Sequence, residues 1–183
     1  MRITNAENDV KYIVYTEEEV RSAVQEMARK LGQDYQDKNP IVVCILKGGV
    51  FFYADLCRGM NCHLELDFLA ASSYGSGTVS SGNLKIKKDM EHSVIGRHVI
   101  LVDDIIDSGL TLTQLKMLME ERGAASVVTC CMLDKKIRHP DALQPDYAAL
   151  ECPNEFVVGC GLDYAEYYRS LPYVAVLKEE VYQ

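Results

Sequence analysis

Three short runs of almost unbroken apolar residues restrict what this chain can fold into: IVVCIL at 41–46, HVILVD at 98–103 and SVVTCCML at 126–133. Their length suits strands rather than helices, and none alternates as a strand with one wet face would. A strand that is apolar on both sides must be covered on both sides, which is the condition of the inner strands of a parallel sheet. Helical patterns lie between and before these runs. Thr16 followed by Glu17, Glu18 and Glu19 is a capping-box start, with acids favourably placed at a helix N-terminus. Val20, Val24, Met27 and Leu31 continue at helical spacing, and Gly32 predicts the stop. Residues 50–60 form a second helix, and Leu112, Leu115, Leu118 and Met119 mark a third. Strands alternating with helices predict an α/β fold: a mostly parallel central sheet flanked by helices on both faces.

The rest of the chain adds shorter pieces. Residues 1–15 are polar apart from a brief apolar stretch at Tyr12 to Tyr15, and a short strand is expected near 64–71. SSYGSGTVSSG (72–82) is nearly devoid of apolar residues and predicts a long mobile loop. LKIKKDM alternates, as an edge strand or hairpin arm does. DKKIRHPDALQPDY, with two prolines, is a polar connection, and FVVGC (156–160) and YVAVL (173–177) supply the last strands. There is no internal repeat, low-complexity tract or linker, so the 183 residues are expected to form a single domain.

Composition narrows the functional classes. Hydrophobic residues make up 48% and charged residues 25%, the balance of a globular chain. A chain this long buries roughly 70% of its unfolded surface and needs no metal or disulfide staple. A formal charge of -8 argues against broad nucleic-acid binding, which relies on neutralising phosphates. The seven cysteines are odd in number, form no CxxC and lie partly inside apolar runs, as free thiols in a reducing cytosol do. The first residues have no apolar core for a signal peptide. No run approaches the ~20 apolar residues of a membrane helix. A cytoplasmic protein with no membrane partner is expected.

The stretch with chemistry in it is HVILVDDIIDSGLT, residues 98–111. An apolar strand ends in Asp103 and Asp104, and Asp107, Ser108, Gly109, Leu110 and Thr111 then open a helix. In an open α/β sheet, ligands bind beyond the carboxyl ends of the strands. A tight Asp-Ser-Gly-x-Thr turn offers backbone N–H groups, hydroxyls and the positive end of a helix dipole, which together suit a phosphate. Carboxylates beside that site make sense if they face hydroxyls, and an adjacent pair can accept from a vicinal diol. The local chemistry suggests a ribose 5-phosphate.

This segment resembles the signature of the type I phosphoribosyltransferases, in the form found in their hypoxanthine-guanine branch. LKGG (46–49), SSYGSG (72–77), LDKK (133–136), NEFVVGCGLDY (154–164) and YYRSLPY (167–173) resemble the same branch, in its usual order. The likeness covers about residues 10–180. It implies the type I phosphoribosyltransferase fold, with a core at about 10–170, a small hood from the N-terminal and C-terminal segments, and a flexible lid loop. The activity it implies is magnesium-dependent purine salvage: hypoxanthine or guanine plus phosphoribosyl pyrophosphate gives IMP or GMP plus pyrophosphate. The implied assembly is a homodimer or homotetramer.

The resemblance also implies roles. Leu46, Lys47 and Gly48 would form a pyrophosphate-binding turn, with a cis peptide at Leu46–Lys47 in some members, and Arg169 would join them. Asp107 would handle the proton at N7 of the purine, the one catalytic role. Asp103 and Asp104 would hold the ribose hydroxyls. Asp103 stands where many relatives have Glu, one methylene shorter. Asp107, Ser108, Gly109, Leu110 and Thr111 would cradle the 5-phosphate. Lys135 would donate to O6 of the base, which favours a 6-oxopurine over adenine. Phe156 would stack on the ring, and Val157 and Asp163 would meet its edge. Asp163, with Asp103 and Asp104, would help hold magnesium. Ser73 and Tyr74 would close as part of the lid. His139 aligns with no functional position.

Two other classes fit less well. A regulator of this fold that senses the sugar pyrophosphate and binds nucleic acid would need basic charge or an appended helix-turn-helix. A receiver domain carries its acidic pair after the first strand, not past the middle of the chain.

Overall fold

The computed structural model describes residues 6–73, 84–139 and 144–181. The expected lid falls largely outside this range: Tyr74 is not among the described residues, and Ser73 is the last residue of its strand.

A six-stranded sheet forms the body. Its strands are β2 (Ile41–Ile45), β3 (Glu65–Ser73), β4 (Leu84–Lys88), β5 (His98–Ile106), β6 (Ser126–Asp134) and β7 (Tyr147–Glu151), in the order β4-β3-β2-β5-β6-β7. All neighbours run parallel except β4, which turns back antiparallel on β3 as the alternating LKIKK predicts. β2 and β5 lie at the centre, and β2 is buried at every position.

Two helix layers cover the sheet. α1 (Glu17–Asp34) and α2 (Val50–Gly59) lie on one face over Val42, Cys44, Ile100, Val102 and Met132. α3 (Leu110–Glu121) covers the other face, where Leu112, Leu115 and Met119 meet Val43, Leu101 and Cys131. Thr16 caps α1 with a reciprocal capping box to Glu19. Gly32 does not stop this helix. It lies inside α1 where a side chain would strike the carbonyl of Met60 at 1.7 Å, so the glycine serves close helix packing.

A second, three-stranded antiparallel sheet, β1-β9-β8, joins both ends of the chain: β1 (Val10–Tyr15), β8 (Val157–Val158) and β9 (Val174–Leu177). FVVGC is a strand only at Val157–Val158. The residues after it, Gly159, Cys160 and Gly161, all have positive φ and leave the extended region.

Candidate active site

Three strand ends meet at one edge of the large sheet: β2 with residues 46–49, β5 with residues 103–111, and β6 with residues 134–139. The small sheet contributes residues 155–169 over them.

β5 does not end at Asp103. It runs on to Ile106 because β6 continues beside it, pairing Asp103 with Cys131 and Ile106 with Asp134. The two acids are therefore consecutive strand residues, and their carboxyl groups stay close enough to interact directly. Asp103 lines a cavity of about 120 Å³ with Asp107, Ser108, Gly109 and Thr111. Asp104 lies against Gly48, where an added Cβ would sit 1.9 Å from its Oδ2. Asp103 Oδ1 accepts the amide of Asp104 at 3.0 Å, and Asp104 Oδ1 accepts that of Ile105 at 2.9 Å. Burial, and then the Asp104 charge, pushes Asp103 well above the usual carboxylate range. Burial also raises Asp104, against the pull of the Arg169 guanidinium.

The turn beyond β5 has the geometry of an anion site. Gly109 adopts φ 72°, a left-handed conformation that a side chain would resist, and α3 begins at the next residue. The first amides of α3 have no carbonyl partner one turn back, so they face the cavity mouth with the positive end of the helix. The Ser108 hydroxyl stands 3.4 Å from the Leu110 amide.

The LKGG turn is locked from two sides. The Leu46–Lys47 peptide is cis, in keeping with the resemblance. Gly48 is pressed by Asp104 on one side. On the other its carbonyl meets Gly161, where a Cβ would lie 2.0 Å away. Gly161 has φ 109°, and its own carbonyl accepts from Arg169 Nη1 at 2.8 Å. Thus Lys47, Gly48, Asp104, Gly161 and Arg169 form one contact chain across three segments. Lys47 Nζ and Arg169 Nη2 both approach Glu166 Oε2, at 2.8 and 3.5 Å. Asp163 pairs with Arg169 at 2.8 Å and accepts the Glu166 amide at 2.8 Å.

On the opposite side, Lys135 Nζ donates to the Glu155 carbonyl at 2.8 Å, immediately before Phe156. Phe156 is about half exposed and meets Tyr164 edge-on at 6.0 Å, while Val157 is buried in β8. Tyr12 of β1 hydrogen-bonds the Glu155 carboxylate, so the small sheet fixes the segment that Lys135 holds. Asp107, exposed, pairs with Arg138 Nε at 3.2 Å. The structure thus gathers Asp103, Asp104, Asp107, Lys135, Phe156, Asp163, Arg169 and the LKGG turn at one sheet edge.

Sequence reasoning did not single out Gly161, Glu166, Glu155 or Arg138. Gly161 left a signal, since glycine two residues after Gly159 in VVGCGLDY invites a positive-φ turn. The others are ordinary charged residues whose partners only the fold supplies. A larger hollow of about 460 Å³ lies between α1, α2 and residues 170–172, but it holds apolar side chains and an Asp55–Arg58 ion pair and none of these groups.

A carboxylate-flanked strand end, a helix start with free amides and a glycine turn beside a lysine have the chemistry that suits a sugar phosphate. The family description "Phosphoribosyl transferase domain" matches residues 13–165. A hypoxanthine-guanine phosphoribosyltransferase of Streptococcus thermophilus is 47% identical over 176 residues, spanning 96% of this chain and 98% of that one. One from Streptococcus pneumoniae is 48% identical over the same shares. A solved hypoxanthine phosphoribosyltransferase from Staphylococcus aureus superposes with a TM-score of 0.94 at 38% identity, each chain fully covered. This chain belongs to the phosphoribosyltransferase family, in its hypoxanthine-guanine branch, and has the type I fold of that family.

Proposed function

We propose that this chain transfers the phosphoribosyl group of phosphoribosyl pyrophosphate to hypoxanthine or guanine, releasing pyrophosphate and IMP or GMP. The observation that carries the reading is the cavity lined by residues within 103–112 along β5 and into α3, with the Lys135 amide bonded to the Ile106 carbonyl beside it. The 5-phosphate lies on residues 107–111, held by backbone N–H groups and the Ser108 and Thr111 hydroxyls. Asp103 and Asp104 each retain an oxygen for a ribose hydroxyl. Lys47, Gly48 and Arg169 take the pyrophosphate, and Ser73 and Tyr74 belong to the lid. Phe156 stacks on the purine, Lys135 turns from the Glu155 carbonyl to O6, and Val157 and Asp163 meet the ring edge.

In the reaction N9 of the base bonds to C1 of the ribose as the bond to pyrophosphate breaks, and the electron pair leaves with the pyrophosphate. Asp107 takes the proton released from N7. Most of the acceleration comes from positioning and charge stabilisation.

The donor set suits magnesium. No group of three or more ligating side chains meets among the described residues. A magnesium ion needs none, since one or two carboxylates and substrate oxygens suffice. Asp163, with Asp103 or Asp104, would hold it, and it would neutralise the departing pyrophosphate.

We also place the protein in the cytoplasm, as a homodimer or homotetramer of single-domain chains with the small sheet as the hood. Among the described residues no helix is long and apolar enough to cross a membrane. The test is a spectrophotometric assay of the purified protein with hypoxanthine, guanine, xanthine and adenine in turn. Turnover of the first two, lost on chelation and absent with adenine, is the expected result. Preference for adenine, or no turnover with any base, overturns the reading.

A further inference from the structure

Arg138 has no assigned part in the reaction, yet its side chain reaches the carboxylate that carries the proton. Its Nε lies 3.2 Å from Asp107 Oδ1. One nitrogen engages one oxygen, which leaves Oδ2 of Asp107 for the base.

The backbone that presents Arg138 is fixed at both ends. The Lys135 amide donates to the Ile106 carbonyl at 3.0 Å, so the segment starts bonded to the residue just before Asp107. The Arg138 amide closes a tight turn onto the Lys135 carbonyl at 2.8 Å. His139 then turns inward. It is 2% exposed, and its Nε2 lies 2.9 Å from Oδ1 of the equally buried Asp134. Asp134 and His139, both buried, anchor the two ends of the segment 135–138 by packing. That segment carries two side chains toward the base, Lys135 and Arg138, on a frame that is shared with the Asp107 strand.

We propose that Arg138 is a positioning residue for Asp107: its ion pair fixes the orientation of the carboxylate before the base arrives. The proposal rests on the reading of Asp107 given above. A guanidinium paired to one carboxylate oxygen restricts rotation of the group and keeps the other oxygen within reach of the proton it is to take. The other titratable groups around Asp107 are Asp103 on β5, Lys135 and Asp134 on the β6 side, and Cys152 beyond β7. Burial pushes the Cys152 thiol up to about 11, so it stays neutral through the working range. Lys135 is drawn away to the Glu155 carbonyl in this state. Arg138 is the cation whose ion pair with Asp107 is in place.

The experiment is a set of four proteins, wild type, Arg138→Ala, Arg138→Lys and Asp107→Asn, with the Asp107→Asn/Arg138→Ala double variant. Hypoxanthine turnover is measured across pH. Wild-type turnover comes first, because its absence sinks the functional reading and not this proposal. Given that turnover, Arg138→Ala should lower kcat by about tenfold, a fraction of the general-base contribution. KM for phosphoribosyl pyrophosphate should stay within about twofold, so that the loss falls on kcat. Lysine should restore part of kcat. In the Asp107→Asn background, Arg138→Ala should change nothing further. A full additional tenfold loss there, or an unchanged kcat in Arg138→Ala, overturns the proposal. Circular dichroism of each variant separates these effects from misfolding, and Arg138 is exposed, so its removal leaves the core intact.

Discussion

Alanine at Gly161 should damage both stability and one substrate constant, and a matched control separates the two. Gly161 has φ 109°, a region L-residues avoid, and its new Cβ would stand 2.0 Å from the Gly48 carbonyl oxygen. Neither obstacle is the end of a flexible side chain. Backbone strain and overpacking together cost about 4 kcal/mol. In a chain of this size that lowers Tm by about 8–16 °C. Gly159→Ala meets nearly the same obstacles, with φ 99° and a Cβ 1.9 Å from the Tyr173 carbonyl oxygen, but it presses on the small sheet and not on the LKGG turn. Both variants should therefore lose similar stability in thermal and urea melts. Only Gly161→Ala should raise KM for phosphoribosyl pyrophosphate, by about tenfold or more, because the Gly48 carbonyl has to move. Initial rates below both transitions give the comparison. If Gly161→Ala melts like wild type, the close approach is not real. If both variants shift that KM equally, the turn is not coupled to Gly161 in the way the contacts require.

Other consequences are simpler to test. Lys135→Ala should raise KM for hypoxanthine by about tenfold to a hundredfold with little change for phosphoribosyl pyrophosphate, in steady-state assays; the reverse split would remove Lys135 from the base. Asp103→Asn should raise Tm by about 2–4 °C while lowering turnover, because the buried acid, raised by burial and by Asp104, opposes folding at neutral pH and an amide does not. Asp67 is buried, which alone would raise it, but the amides of His92, Phe68 and Glu91 and the His92 ring hold it below the usual carboxylate range. A lowered native value gives stability that is present above the unfolded value and lost as pH falls through the native one. Asp67→Asn should thus cost about 2 kcal/mol near pH 7, and the gap to wild type in urea melts should close below about pH 4.

The inner strands were legible because burial on both faces leaves a continuous apolar run, as in Ile41–Ile45. Strands with one open face were not. Tyr147–Glu151 is partly exposed at every position and carries two small alanines, and its membership in the sheet is decided by β6 beside it. Val10–Tyr15 shows only as a short apolar stretch, because its partner lies more than 150 residues away at Val174–Leu177. The same division holds for the candidate site. Asp103 to Thr111 are contiguous and their chemistry is local, so the turn could be read from spacing. Arg138, Glu155, Glu166 and Gly161 gain their meaning from Asp107, Tyr12, Lys47 and Gly48, each of which is remote in sequence. Gly32 misled for a similar reason: its neighbour Met60 is visible only in three dimensions.

The small sheet draws one strand from each end of the chain, and this sets an order on synthesis. A ribosome making this protein releases Val10–Tyr15 early, but that strand waits for Val174–Leu177 before it has an edge to join. At ordinary elongation rates the wait is on the order of ten seconds. Until then Tyr12 has no settled Glu155 to hold. The nascent polypeptide can fold its large sheet first, and the small sheet closes only after Val174–Leu177 has emerged.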